Sequence, residues 1–317
     1  MALLKYILKK MLMLLPVLVG ISIIAFALGI MSPGDPVDQV LNPNGNESYT
    51  QAEYDAMAAK MGLDQPAVVQ YFNWVDGLVH GDLGRSFFTN KSVMDQLVKR
   101  IPISLKLAGF SMILTILFGV GFGVLMAVQK DRLLDHVLGT FSTAALSVPG
   151  FWIAIVLIFL FAEQWKLLPS SGISGGSGFI LPAVTLALPS IGVCARLTRS
   201  AILDEIGRQY MTVADAKGMS RRHAVVCHAF GNALIPIITY LGNHMAGIIG
   251  GASIVETIFA IPGIGSYAIA GVQSKDYYVV QAYVLFSGCI YVLTNILIDL
   301  IYIALDPKIR AGEAVES

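Results

Sequence analysis

The residues with the most potential for metal or acid–base chemistry lie in one polar segment, Arg196–Pro236, between two apolar runs. Within it, His223, Cys227 and His228 occur in a stretch of helical composition. On a helix, His223 and Cys227 share a face, an arrangement that can bind zinc. No acidic residue or third ligand completes that face, so we predict no metal site.

Motifs for nucleotide or redox chemistry are also missing from the chain. The glycine-rich run 172–178 is not followed by Lys and Ser or Thr, so it is not a phosphate loop, and no such loop occurs elsewhere. The sequence has no H-E-x-x-H motif and no C-x-x-C pair among its three cysteines. We therefore expect a protein that is not an enzyme and that binds no cofactor itself.

Composition assigns the chain to the membrane. Of its 317 residues, 56% are hydrophobic and 13% are charged, whereas soluble domains carry about 25% charged residues. Six uncharged stretches approach the roughly 20 residues that a membrane-spanning helix needs. They are 11–31, 107–129, 137–162, 179–195, 231–255 and 277–298.

The orientation of these helices follows from the distribution of basic residues. Six Lys or Arg residues lie in Arg196–Pro236, and others precede the first span and follow the last, at Lys308 and Arg310. Basic residues concentrate on the cytoplasmic side, so we predict six crossings with both termini in the cytoplasm. The basic start of the chain could also belong to a signal peptide, but its long apolar run favours an uncleaved span.

A seventh apolar stretch, Thr257–Ser274, is interrupted by Pro262, Gly263 and Gly265. A crossing there would place the basic carboxyl end outside, so we predict a re-entrant or interfacial segment at about 257–275. The chain then divides into residues 1–101, with the first helix and an outer region, and residues 102–317, a five-helix core.

The outer region 32–101 carries local helix signals. Thr50 and Glu53 form a capping-box pattern before a short helix that ends at Gly62, and Pro66 begins a second helical pattern. The region can be a cover for the helix ends or a docking surface for a soluble partner. The residues themselves leave both possibilities open.

The predicted spans contain almost no charged residues, and His244 is the one titratable group near the middle of a span. Ion-coupled transporters usually keep such groups at mid-membrane depth. A lone histidine there more often forms a hydrogen bond between helices. The energy source is therefore expected in a partner, although an ion-coupled secondary transporter and a membrane scaffold that recruits a soluble enzyme remain alternatives.

The cytoplasmic loop, about 201–230, is where such a partner would bind. Asp204–Lys217 has helical composition, Gly218 is suited to end the helix, and Ser220 is a plausible cap for a second helix. The small Ala214 and Ala216 would let another protein approach the backbone. Tyr210 and Met211 are apolar anchors for it. Arg221 and its basic neighbours could also contact anionic lipid.

Motifs along nearly the whole chain resemble the dipeptide, oligopeptide and nickel permease family of ABC importers. The stretch TVADAKGMS, followed by GNALIP, is similar to the coupling-loop signature of such permeases. Further motifs of the family occur along the chain in the same order. These are SPGDP (32–36), GLDQP (62–66), GDLGRSF (81–87), LPS (168–170), ILPA (180–183), ARLTRS (195–200), ETIFAIPGIG (256–265), DYYVVQA (276–282) and ALDPKIR (304–310). Two departures are Thr212-Val213-Ala214 in place of Glu-Ala-Ala, and Gly231 where relatives often carry Arg.

This resemblance implies an all-α permease of the type I ABC importer fold in the bacterial inner membrane. The implied partners are a second homologous permease, two cytoplasmic ATPase subunits that use ATP and Mg²⁺, and an extracytoplasmic binding protein. The resemblance also implies a contact with the ATPase that couples ATP hydrolysis to transport. The residues of this ATPase-coupling contact are Tyr210, Met211, Ala214, Ala216, Lys217, Gly218, Arg221, Asn232 and Pro236. The resemblance further implies an outer gate near Pro262, Gly263, Gly265 and Asp276, and docking of the binding protein on the outer region. The solute can be a dipeptide, a longer peptide, glutathione, nickel or a metal chelate, and no substrate-binding residue is assigned.

Overall fold

The computed structural model describes residues 2–31, 34–42, 45–46, 48–173, 175–209, 211, 220, 223 and 225–305. Side chains are described for these residues except 2–15, 227–228, 250–251 and 302–305. Within this part of the chain the structure is helical, and the only β pairing is a bridge between Arg85 and Ser92. The predicted all-α class is therefore confirmed.

The chain forms two compact units. The first comprises Met1–Ser104 and Pro262–Val292, and the second comprises Leu105–Ile261 and Leu293–Ser317. This division differs from the predicted one at residue 101, because the segment after Ile261 packs with the amino-terminal part of the chain.

The first unit contains the outer region and the first helix. Its helices are α1 (Ala2–Ile30), α2 (Pro36–Leu41), α3 (Gln51–Met61), α4 (Ala67–Val79), the start of α5 (Val93–Leu114), α12 (Ile264–Gln273) and the first part of α13 (Tyr277–Leu305). The Thr50–Glu53 capping box is present, and Gly62 ends α3 in the left-handed conformation, as predicted. Helix α4 packs on α1 through Phe26, whose ring centroid lies 5.3 Å from that of Tyr71.

The second unit is a helical bundle centred on α9 (Ile180–Ile206). Helix α5 continues through a π-helical turn, Thr115–Val120, into α6 (Gly121–Val128), followed by α7 (Leu133–Ser147) and α8 (Gly150–Leu157). Helices α10 (Phe230–Gly251) and α11 (Ser253–Ile258) and the last part of α13, from Leu293, also belong to this unit.

Glycines allow close packing of α6 and the preceding turn against α9. A methyl group on Gly123 would lie 2.4 Å from Cβ of Thr198, and one on Gly119 would lie 2.7 Å from Cβ of Cys194. Small residues four positions apart are a common means of close helix approach in membranes.

Among the described residues, three helical segments are long and apolar enough to cross a membrane: Val93–Val128, Gly176–Ile206 and Tyr277–Ile301. Helices α7 and α8, with the π-helical continuation of α8, make a fourth candidate if the pair is one span, although they meet at 102°. Helix α10 is not among these candidates, and it contains Asn232, Asn243 and His244. The count of six crossings and the side of the termini remain predictions.

Two predicted elements differ from the structure. The run 137–162 is not one straight helix, because Pro149 lacks an amide donor and the residue before it is extended, which separates α7 from α8. No new helix begins at Asp204 either: α9 continues to Ile206 and ends at Gly207.

Thr257–Ser274 contains a break between α11 and α12, and neither helix alone reaches the length of a span.

Candidate functional site

The predicted ATPase-coupling contact is only partly described by the structure. Met211, Asn232 and Pro236 lie within the described residues. The other members of the predicted contact, Tyr210, Ala214, Ala216, Lys217, Gly218 and Arg221, lie outside them. The structure therefore describes the two ends of the segment that joins α9 to α10: the end where the chain leaves α9 and the end where it enters α10.

The first end is the carboxyl terminus of α9. Glu205 is buried there and forms an ion pair of 3.0 Å with Arg208, whose side chain is largely exposed. The amide of Met211 donates a hydrogen bond of 3.0 Å to the carbonyl of Arg208. The Met211 side chain is 2% exposed. Its role as an apolar anchor for a partner remains a prediction.

The second end returns the chain to the bundle through Ser220 and a π-helical turn, Val225–Ala229. The Ser220 hydroxyl accepts a hydrogen bond of 3.4 Å from the amide of His223, as expected for the predicted helix cap. In α10, Asn232 and Pro236 are exposed. Pro236 has no amide proton and cannot form the helical hydrogen bond to the carbonyl of Asn232.

Both ends join one apolar cluster, which we call the base cluster. Its residues come from α6, α9, the π-helical turn and α10, and each is no more than 1% exposed: Ala127, Ile202, Val225, Ala229, Ala233 and Ile237. Protein cores are close-packed and transmit displacement with little compression. A force applied to the segment between α9 and α10 would therefore reach both helices.

The predicted outer gate lies in the first unit, where the turn before α12 is anchored on α5. The amide of Ile264 donates a hydrogen bond of 2.9 Å to the Ser104 hydroxyl. Arg100 donates one of 3.4 Å to the carbonyl of Gly263, and its guanidinium lies 4.6 Å from the ring centroid of Tyr267. Gly263 and Gly265 are buried, and Pro262 is exposed. Sequence reasoning missed Arg100 and Ser104, although their spacing of four places them on one helix face.

Asp276 lies in the same unit and is 1% exposed. Burial raises the pKa of this carboxyl, and hydrogen bonds from the Ser86 side chain and the Phe87 amide oppose the shift. The adjacent Tyr278 ring packs on Phe87 with a centroid distance of 4.9 Å. A side chain at Gly84, where φ is +82°, would lie 2.7 Å from the Tyr278 ring. Two sequence motifs, residues 81–87 and 276–282, are thus brought together, and their role as a gate remains a prediction.

These contacts are mechanical anchors and not a catalytic arrangement. Within the described residues, no group of three or more His, Cys, Asp or Glu side chains is placed to hold a metal ion. His244 stacks on Tyr240 with a centroid distance of 5.6 Å and an angle of 4° between the rings.

Comparison of the sequence with known families gives two matches. Residues 119–311 match the family described as the binding-protein-dependent transport system inner membrane component, and residues 3–108 match its amino-terminal membrane component. A probable peptide ABC transporter permease of Sinorhizobium fredii is 36% identical, and the alignment covers 96% of this chain and 99% of the relative. The dipeptide transport system permease of Escherichia coli K12 is 33% identical, with 97% and 99% coverage. The probable D,D-dipeptide permease of the same strain is also 33% identical, with 93% and 94% coverage.

Solved structures share the fold. A chain of the MetNI methionine ABC transporter in an inward-facing conformation superposes with a TM-score of 0.58 at 17% identity, over 67% of this chain and 97% of that chain. An amino acid ABC transporter chain gives a TM-score of 0.52 at 19% identity, over 65% and 92%. With the family match over most of its length, the chain belongs to the inner-membrane permease components of binding-protein-dependent ABC transport systems.

Proposed function

We propose that this ABC importer permease carries peptides into the cytoplasm by alternating access, driven by two separate ATPase subunits. The observation that carries the proposal is the set of relatives at 33–36% identity over nearly the full chain, which are named for peptide, dipeptide and D,D-dipeptide transport. None of the relatives reported above is named for nickel. The permease itself supplies the path, and catalysis of ATP hydrolysis belongs to its partners.

The base cluster supports the coupling part of the proposal. The segment between α9 and α10 starts and ends on this cluster, so an ATPase that moves the segment would also move α9. That helix has 27 residues and is about 40 Å long, which lets a displacement at one end reach the other. The bundle would alternate between two discrete arrangements because packed helices shift as units.

The remaining partners follow from the family. A second permease would complete the path, and a binding protein would deliver the peptide to the outer region 32–101. The compact packing of α4 on α1 supports docking there, because it gives the outer region a fixed surface.

The test is uptake by the complete transporter in proteoliposomes. The complex would be assembled from this chain, its second permease, its ATPases and its binding protein, and supplied with radiolabelled dialanine. We expect uptake that requires ATP and the binding protein and that disappears when the phosphate-loop lysine of the ATPases is replaced. Uptake of nickel but not peptide would overturn the proposed solute. Peptide uptake driven by an ion gradient without ATP would overturn the proposed mechanism.

A further inference from the structure

A large groove lined by both polar and apolar side chains occupies one side of the second unit. Its volume is about 1150 Å³, slightly above the roughly 300–1,000 Å³ of typical small-molecule sites. Helices α7 and α9 contribute most of its lining, and we define the polar groove by six of these residues: His136, Thr140, Thr143, Ser147, Arg196 and Ser200.

The α7 side of the groove carries a stripe of polar side chains, beside Gly139, Ala144 and Leu146. His136, Thr140, Thr143 and Ser147 are all exposed and recur at intervals of three or four residues, so they share one side of the helix. The stripe runs for about 16 Å along the helix axis. Polar faces within a membrane bundle normally point to water or to protein, because lipid cannot satisfy their hydrogen bonds.

The hydroxyl groups of this face offer a defined chemistry. Thr143 donates to the carbonyl of Gly139 and Ser147 donates to the carbonyl of Thr143, each at 3.0 Å. Their protons are therefore used within the helix, and the free lone pairs of the hydroxyl oxygens remain as acceptors. Acceptors in a row suit a solute with N–H groups, such as a peptide.

The α9 side adds a positive charge. Arg199 is neutralised by Asp135 through two hydrogen bonds of 2.7 Å. Arg196, one turn earlier, is exposed and forms no ion pair with any described residue. A guanidinium binds a carboxylate with paired hydrogen bonds, so this position is suited to the end of a peptide chain.

We propose that the polar groove is this chain's share of the solute pathway and that Arg196 binds the carboxylate of the passing peptide. The identity of the solute rests on the proposed function, whereas the aqueous character of the groove does not. Two other occupants would explain an exposed polar face: the second permease packed tightly over it, or the phosphate of a lipid bound to Arg196.

Thiol labelling tests whether the groove is aqueous. Thr143→Cys would be compared with Val137→Cys, a matched site on α7 whose side chain is 54% exposed but does not line the groove. The assembled transporter in lipid nanodiscs would be treated with an anionic, water-soluble thiosulfonate, and labelling of the native cysteines subtracted. We expect rapid modification at position 143 and little at 137. Protection of both positions would overturn the pathway and favour a groove closed by the second permease.

Transport kinetics test the carboxylate assignment. Uptake of dialanine and dialanine amide would be measured for Arg196→Gln, for Arg196→Lys and for the control Arg132→Gln, which lies outside the groove. Loss of a charged hydrogen bond predicts a KM for dialanine raised about 10- to 100-fold in Arg196→Gln, with uptake of the amide unchanged. The lysine variant should retain much of the preference for the free acid, and the control should match wild type.

The outcomes separate the alternatives, because the binding protein is the same in every sample. Equal loss of acid and amide uptake in Arg196→Gln, or no change in either, would overturn the carboxylate contact. Equal loss of acid and amide uptake in Arg196→Gln that occurs in phospholipid bilayers but not in bilayers of a phosphate-free glycolipid would assign Arg196 to a lipid phosphate instead. A wild-type complex that carries neither peptide would overturn the proposed function and with it the carboxylate assignment, while the labelling result would still decide whether the groove is aqueous.

Discussion

Individual charged residues in the second unit are held by specific partners. Asp135 has a side chain that is 4% exposed and makes paired contacts with Arg199, whose side chain is 29% exposed. Its second carboxylate oxygen also accepts a hydrogen bond of 3.0 Å from the amide of Asp131. Each pairing lowers the cost of removing the carboxylate from water, which is several kcal/mol for an unpaired ion.

Removal of one partner should therefore be more damaging than removal of both. We expect Arg199→Met to destabilise the protein by about 3 kcal/mol, because the Asp135 charge stays buried without its counter-ion. The double variant with Asp135→Asn should recover part of this loss. Thermal unfolding of the purified complex in detergent measures the difference.

The Asp76–His80 pair is the control for this prediction. Its side chains are 78% and 73% exposed, so Asp76→Asn should cost less than about 1 kcal/mol. Equal losses for Arg199→Met and Asp76→Asn, or no recovery in the double variant, would contradict a structural role for the buried pair.

At the scale of elements, the bundle depends on close approach between α9 and the segment that contains Gly119 and Gly123. The carbonyl of Ala195 would lie 2.6 Å from a methyl group on Gly123, and backbone cannot move aside as a flexible side chain can. Gly121 lies on the same helix, and nothing comes within 4 Å of a methyl group placed there.

This difference gives a matched pair of substitutions. Gly123→Ala should force α6 away from α9 and destabilise the unit by about 1–3 kcal/mol, the usual cost of overpacking. Gly121→Ala should be neutral or slightly stabilising, because alanine favours the helix. The measurement is the midpoint of thermal unfolding for the two variants, and similar shifts would count against close packing at Gly123.

Local elements were predictable from sequence where the signal is local. The capping box of α3 and its end at Gly62 depend on residues within one helix, and both are as predicted. The break between α7 and α8 was missed because the surrounding residues are apolar on both sides, although Pro149 marks it. The Arg100–Gly263 contact joins residues 163 positions apart, and no helix periodicity encodes such a pair.

At the scale of the whole molecule, the second unit would combine the proposed ATPase contact with the groove that would hold the solute. Helix α9 contributes to both, with Ile202 in the base cluster and Arg196 in the polar groove. The two positions are six residues apart, about 9 Å along the helix. A shift of α9 would therefore change the groove and the coupling end together, which is the physical requirement for alternating access.

The coupling prediction follows from this shared helix. Gly218→Pro or Ala214→Trp should uncouple ATP hydrolysis from transport while the chain still inserts and assembles, because each alters the proposed ATPase contact but not the base cluster. We expect peptide uptake to fall at least about tenfold, equivalent to 1.4 kcal/mol of coupling free energy. ATPase activity should lose its stimulation by the loaded binding protein. The same tryptophan substitution at Leu167, which is 69% exposed and lies outside both the coupling contact and the outer region 32–101, should leave stimulation by the binding protein unchanged. Stimulated ATPase activity and uptake at wild-type levels in both coupling variants would show that the force enters the bundle elsewhere.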